Sequence, residues 1–306
     1  MKKLATLVIL FVLTVGVLSL SSCQKIDTDK FSLVWEDEFD GEELDYTKWH
    51  FDGRYVDGKN GAPRNAGYWV DDAFKVEDGN LVMTTEWRED GDFGAGWYSG
   101  VLSTAYYDYG GETNGGFAQK YGYFEIRCKV PAIYGSWSAF WMMPTDNFAN
   151  ANTEYLNTGI DGTEIDIFES PFYYDIFMRQ TVSHAVHYDG YGEHLKSAPK
   201  TGVNVPNLYG DFHTYGLEWT ENYYKFYVDG ICTWTVTDEK YKNRQGETVY
   251  QNIVSQVEEY IILSSEVVNP EEEGGTKGWC GDLAKNDKSK KYDFVIDYVR
   301  VYQLNQ

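Results

Sequence analysis

The chain is short of basic charge, cysteine, proline and helical periodicity, and each shortage removes a class of explanation. Lys and Arg number 26 against 48 Asp and Glu, a formal net charge of -22. A surface of that sign repels phosphate backbones, so no nucleic acid is expected as a partner, and a highly acidic polymer is disfavoured on the same ground. A neutral polymer fits best. Of the four cysteines, Cys23 adjoins an apolar leader. Cys128, Cys232 and Cys280 remain, an odd number at spacings that fit no metal site. One disulfide with a leftover thiol and three free thiols both stay open, with free thiols the expectation. Only one apolar run approaches the length of a membrane span, and no repeat or low-complexity linker follows it. Among the seven prolines, Pro131, Pro144 and Pro171 stand where strand-like runs stop.

The single long apolar run is the leader. Lys2 and Lys3 precede the run from Leu4 to Leu20, which ends in Leu20-Ser21-Ser22-Cys23. A basic start, an apolar stretch and small residues before a Cys read as a bacterial lipoprotein signal, residues 1–22, with Cys23 lipidated. An uncleaved anchor is the competing reading, but the run is at the short limit for a span. Residues 23–32 then form a polar tether, and residues 33–306 one folded domain. Removing the two leader lysines takes the charge from -22 to -24. The expectation is an exported, outer-membrane-anchored lipoprotein facing the periplasm or the exterior, touching the membrane through its lipid alone. A monomer is expected.

What is abundant is aromatic and strand-like. Aromatics make up 17% of the chain, with 26 Tyr and 10 Trp. They suit strands and cores, and flat rings also stack against sugar C–H faces. Alternating runs bounded by turn residues recur at 80–85, 121–130, 134–143, 163–170, 181–188, 214–219, 223–228, 231–236, 260–267 and 294–302. Asp229-Gly230 marks a hairpin. Helical signal is confined to 238–241 and 254–259. The pattern predicts an all-β sandwich of two large antiparallel sheets, one curved around a cleft.

One run carries chemistry: Glu164-Ile165-Asp166-Ile167-Phe168-Glu169. Side chains alternate across a strand. Burying Ile165 and Ile167 puts Glu164 and Asp166 on the other face, but strict alternation would send Glu169 into the core, where a lone carboxylate is expensive. A β-bulge near Ile167-Phe168 returns Glu169 to the face of the other two. Three carboxylates there raise at least one pKa by repulsion. One ionised and one protonated carboxyl is what glycoside hydrolysis requires. Alone, the run would equally suit a calcium site or a solvated acidic strand.

The sequence resembles glycoside hydrolase family 16, whose signature Glu-x-Asp-x-x-Glu stands at 164–169. The resemblance extends to Tyr121–Arg127, Gly135–Pro144, Asp161-Gly162-Thr163, Phe212–Trp219, Phe226–Gly230 and Ile296–Tyr302, in order over most of 33–302. It implies a β-jelly-roll sandwich and an endo-acting, retaining hydrolase, with Glu164 as nucleophile, Glu169 as general acid/base and Asp166 as assistant. Trp137 and Trp141, four apart and so on one face, would line the cleft. His187 would face the carboxylates, and His184 the opposite side. Asn65, Glu266 and Trp279 are weaker candidates for substrate contact. No catalytic cofactor is implied, but a structural calcium is, held by Glu38, the Gly79 carbonyl and Asp297, hard oxygen donors of the kind that cation takes.

Departures bear on the sugar. Arg64–Trp69 lacks the Asn-Asn-Glu stretch of the β-1,3-glucanase branch. Leu263–Val267 replaces its Ala-Val-Gly-Gly-like segment. Ser265-Glu266-Val267 and His187–Gly192 look more like members with endo-β-galactosidase activity, some of which act on poly-N-acetyllactosamine in mucin-type glycans. A β-1,3(4)-glucanase, a transglycosylase and a catalytically silent sugar-binding protein are the alternatives. Three repelling acids kept together argue against silence.

Overall fold

A computed structural model describes residues 25–305 apart from 52–54, 57–58, 108–112, 146–147, 149–150, 239, 243–247, 251 and 269–276. The export signal 1–22 and Cys23 lie outside the described residues. The strands that build the site are, in chain order, β1 (Phe31–Asp37), β2 (Asn80–Gly91), β3 (Gly122–Lys129), β4 (Ser136–Pro144), β5 (Glu164–Glu169) and β6 (Thr181–Tyr188). They continue with β7 (Lys196–Asn204), β8 (His213–Trp219), β9 (Tyr223–Val228), β10 (Ile231–Thr237), β11 (Glu259–Val267) and β12 (Lys291–Leu304). Helix is limited, among the described residues, to two 3-10 turns, Thr28–Lys30 and Leu283–Lys285.

Two sheets face one another. A twelve-stranded sheet runs β10-β9-β8-β3-β12-β2 and continues through Gly94–Ser99 and Gly67–Val70, with β1 on β12. An eight-stranded sheet runs β7-β6-β5-β4-β11 and then Val101–Ser103. Within these two sheets, among the described residues, pairing is antiparallel except where Gly67–Val70 meets Gly94–Ser99. This is the expected jelly-roll sandwich. Alternation assigns the faces: Phe124, Ile126 and Cys128 of β3 and Phe140 and Met142 of β4 enter one common core with Ile165, Ile167 and Phe168 of β5. Phe168 stacks on Tyr215 of the opposite sheet at 4.1 Å and 26°. Fully burying one such ring contributes about 1.5–3 kcal/mol.

Several boundaries move. β1 starts at Phe31, inside the stretch read as tether, and Ile26 already donates its N–H to the Gly230 carbonyl at 3.0 Å. The chain is therefore seated on the sheet from its first described residues. The segments with weak helical signal form no helix: Lys240–Lys242 is a strand and 254–258 is irregular. β7 gave no strand signal, because as an edge strand it is largely exposed. Asp229-Gly230 turns β9 into β10 with φ of 49° and 73°, as a tight hairpin requires. Cys128, Cys232 and Cys280 are free.

Candidate active site

The register around β5 contains the bulge. Against β4, Ala139 faces Glu169 and Phe140 faces Phe168, and then Trp141 faces Asp166, so Ile167 is the extra residue. Against β6, Glu164 faces His187, Asp166 faces Ala185 and Glu169 faces Ser183. Both Ile167 and Phe168 are fully buried in the core. Glu164, Asp166 and Glu169 all line one cleft of about 440 Å³, with Arg64, Trp69, Trp137, Ala139, Trp141, Tyr191, Ser264 and Glu266 around them. The small Ala139 beside Glu169 leaves the acid open to that space.

Few donors reach these carboxylates. Tyr191 donates its hydroxyl to Glu164 Oε2. His187 Nε2 lies 3.2 Å from Asp166 Oδ2 and 4.0 Å from Glu164 Oε1, while its Nδ1 meets Ser197 Oγ at 2.6 Å. Ser183 Oγ donates to Glu169 Oε2 at a long 3.4 Å. Burial is consequently the leading influence. It pushes Glu164 up to about 7, helped by the charge of Asp166 and opposed by the Tyr191 hydroxyl and His187. Burial also raises Asp166 and lifts Glu169 well above the ordinary range, the latter with help from the Asp166 and Glu164 charges. At neutral pH the group favours a protonated Glu169 beside a Glu164 able to ionise.

The residues expected from the sequence fall into distinct sets. Trp137, Trp141 and Glu266 line the cleft. Trp279 packs on Trp137 at 4.9 Å, Asn65 donates to Glu266, and His187 meets Asp166 and Glu164. Of the three expected calcium ligands, the two carboxylates are each taken up by an arginine. Glu38 is forked by Arg300 at 2.7 and 2.8 Å, and Asp297 pairs with Arg127. Two carboxylates already neutralised by guanidinium groups do not fit a hard cation that needs both. Among the described residues, the one group of His, Cys, Asp and Glu close enough to share an ion is Glu164, Asp166 and His187, within 4.8 Å, and these belong to the cleft. Arg64, Trp69, Tyr191 and Ser264 were missed. Arg64 forks Glu266 Oε1 at 2.9 and 2.6 Å and lies 4.5 Å over the Trp69 ring. Trp141 Nε1 donates to Ser264 Oγ at 3.1 Å. Tyr191 had a signal: it follows His187 in a turn whose Asp189 and Gly190 have φ of 66° and 68°.

The family model described as β-porphyranase A–D, glycoside hydrolase family 16 domain, matches residues 31–304. The chain belongs to glycoside hydrolase family 16. It is similar to a laminarinase catalytic domain from Thermotoga petrophila, with 26% identity, a TM-score of 0.65, and 90% and 99% of the two chains covered. A structure from work on endo-acting O-glycanases with which human gut microbes initiate mucin breakdown has 25% identity, a TM-score of 0.64, and coverage of 92% and 94%. The keratan-sulfate endo-1,4-β-galactosidase of Sphingobacterium multivorum is 29% identical over 282 residues, 91% of this chain but 57% of that protein. The chain is an endo-acting glycoside hydrolase of this family, acting on β-linked glycans.

Proposed function

We propose that this hydrolase works by retention, with Glu164 as nucleophile, Glu169 as general acid/base and Asp166 assisting Glu164. The observation that carries the reading is the bulge, which returns Glu169 to the face of Glu164 and Asp166. Glu169, held protonated by burial and two neighbouring carboxylates, gives its proton to the leaving glycosidic oxygen. Glu164 attacks the anomeric carbon and forms a glycosyl-enzyme. Glu169, now ionised, takes a proton from the water that hydrolyses it. The reaction uses side chains alone. Trp137 and Trp141 present flat faces for sugar stacking, and His187 and Tyr191 hold the ionised carboxylates.

For substrate, we infer an endo-β-galactosidase acting on poly-N-acetyllactosamine or mucin-type O-glycans. Support comes from the keratan-sulfate relative and the mucin-glycanase likeness. It also comes from the Arg64–Glu266–Asn65 cluster standing where the glucanase branch carries a different segment. An endo-β-1,3(4)-glucanase is the second reading, favoured by the laminarinase likeness. Product analysis on laminarin, lichenan, agarose, keratan sulfate and mucin O-glycans separates them. Oligosaccharides from the lactosamine chains of mucin O-glycans are expected, and release from laminarin alone would refute the galactosidase reading. The leader 1–22 and Cys23 support an exported lipoprotein. Cys23→Ala should release the protein from the membrane fraction, and undiminished membrane retention would count against the anchor.

A further inference from the structure

His184 is the single residue of β6 opposite the two bulged residues Ile167 and Phe168, since the register passes from Asp166↔Ala185 to Glu169↔Ser183. It points away from the cleft and is fully buried. Its Nδ1 lies 2.5 Å from the Ile167 carbonyl oxygen. A carbonyl can only accept, so Nδ1 carries the proton. Nε2 is then the acceptor, 2.9 Å from Thr233 Oγ1 on β10 of the other sheet. Thr233 Oγ1 also lies within donating distance of the Phe226 carbonyl oxygen at 3.2 Å, so its one proton is shared between that acceptor and Nε2. The ring is packed against Phe226 at 4.9 Å and parallel to Trp234 at 6.5 Å. Burial lowers its pKa to about 4, so it stays neutral in this role.

A bulge costs the strand a ladder partner at the extra residue. A buried carbonyl left without a donor pays its full desolvation cost. Slipping back to regular alternation would restore the ladder and turn Glu169 into the core. The structure assigns His184 as a positioning residue for Glu169: its Nδ1–H fixes the Ile167 carbonyl, and with it the bulge that aims Glu169 into the cleft. Thr233 locks the ring from the opposite sheet, so the acid's orientation is set across the full thickness of the sandwich. This rests on Glu169 being the acid/base.

Two substitutions at His184 separate the ring nitrogens. In His184→Asn the amide nitrogen takes the place of Nδ1, and in His184→Gln that of Nε2. Each is made in the full chain and assayed for kcat, KM and pH profile on laminarin and keratan sulfate, with folding followed by circular dichroism. His184→Asn should keep kcat within about threefold, and His184→Gln should lose at least about tenfold in kcat with little change in KM, since misplacing a catalytic group lowers the rate steeply. The basic limb of the His184→Gln profile should also move, because it reports Glu169. Equal impairment of both variants, or a His184→Gln enzyme with wild-type kcat, would overturn the proposal. Should His184→Gln not fold, Thr233→Val carries the test, with a displaced basic limb expected and an unchanged one contradicting it. Glu169→Ala is run alongside. Turnover retained there refutes the acid/base reading itself, whereas an inactive Glu169→Ala leaves the Asn/Gln contrast to judge His184 alone.

Discussion

Carboxylates line the outer faces of both sheets, and their surroundings differ in kind. On the twelve-stranded sheet several have donors of their own. Glu125 accepts from Tyr123 and Tyr298 at 2.7 and 2.9 Å. Glu218 accepts from Tyr223 and Tyr227 at 2.7 and 2.6 Å. Glu38 is forked by Arg300, whose hydrogen bond holds its carboxyl below the usual range. Even the backbone makes room: a Cβ on Gly216 would lie 2.3 Å from the Tyr123 hydroxyl. On the eight-stranded sheet Glu164, Asp166 and Glu169 share one face, burial raises all three, and among the described residues Glu169 has a donor only at 3.4 Å. Glu266 lies between the extremes, since Arg64 and Asn65 hold it while burial still raises it. The same side chains are thus structural where they are partnered and reactive where they are left to compete for protons.

That contrast can be broken most sharply by activity. Glu164→Ala and Glu169→Ala should each lower kcat by about 10³-fold or more. Glu125→Gln and Glu218→Gln should leave kcat/KM near wild type in the same reducing-sugar assay. Substantial turnover in either Glu164→Ala or Glu169→Ala would dissolve the distinction.

Stability should respond in the opposite sense. Glu218→Ala strands two tyrosine hydroxyls and should cost about 1–3 kcal/mol in urea unfolding. Glu164→Gln removes a group whose pKa rises from 4.5 to about 7 on folding. Between those values the native state keeps a proton that the unfolded chain has released, so this group's contribution to stability is full below about pH 4.5, falls toward pH 7 and then levels. The drop is on the order of 3 kcal/mol for this group. The wild-type curve minus that of Glu164→Gln should fall over this interval, and a difference that rises there would contradict the raised value.

A smaller effect is expected at Tyr191. Its hydroxyl favours the ionised form of Glu164, so Tyr191→Phe should move the acidic limb of the kcat/KM profile upward in pH. No movement would mean that the hydroxyl does not tune the nucleophile. The smallest effect concerns metal. With Glu38 and Asp297 already paired to arginines, a chelator should leave Tm unchanged, and a clear drop would restore the calcium expectation.

Much of this contrast was legible in the chain itself. Alternation in β5 separates Ile165 from Glu164 and Asp166, and the cost of a buried Glu169 demands a bulge at the position where the register shifts. Partners far apart in sequence were not legible. Arg64 meets Glu266 across 202 residues, and Arg300 meets Glu38 across 262. No local pattern encodes such pairs, and the resemblance that named Glu38 and Asp297 as calcium ligands carried no sign of their arginine partners. β7 escaped notice because an exposed edge strand needs no apolar alternation.

The central claim is that the bulge sets Glu164 and Glu169 to act on one anomeric carbon in two displacements. The anomeric proton of the first product, followed by NMR as cleavage begins, tests this most directly. The β-anomer should appear first and only later mutarotate, as retention requires. An α-anomer formed first would mean inversion and would contradict the assignment of Glu164 as nucleophile.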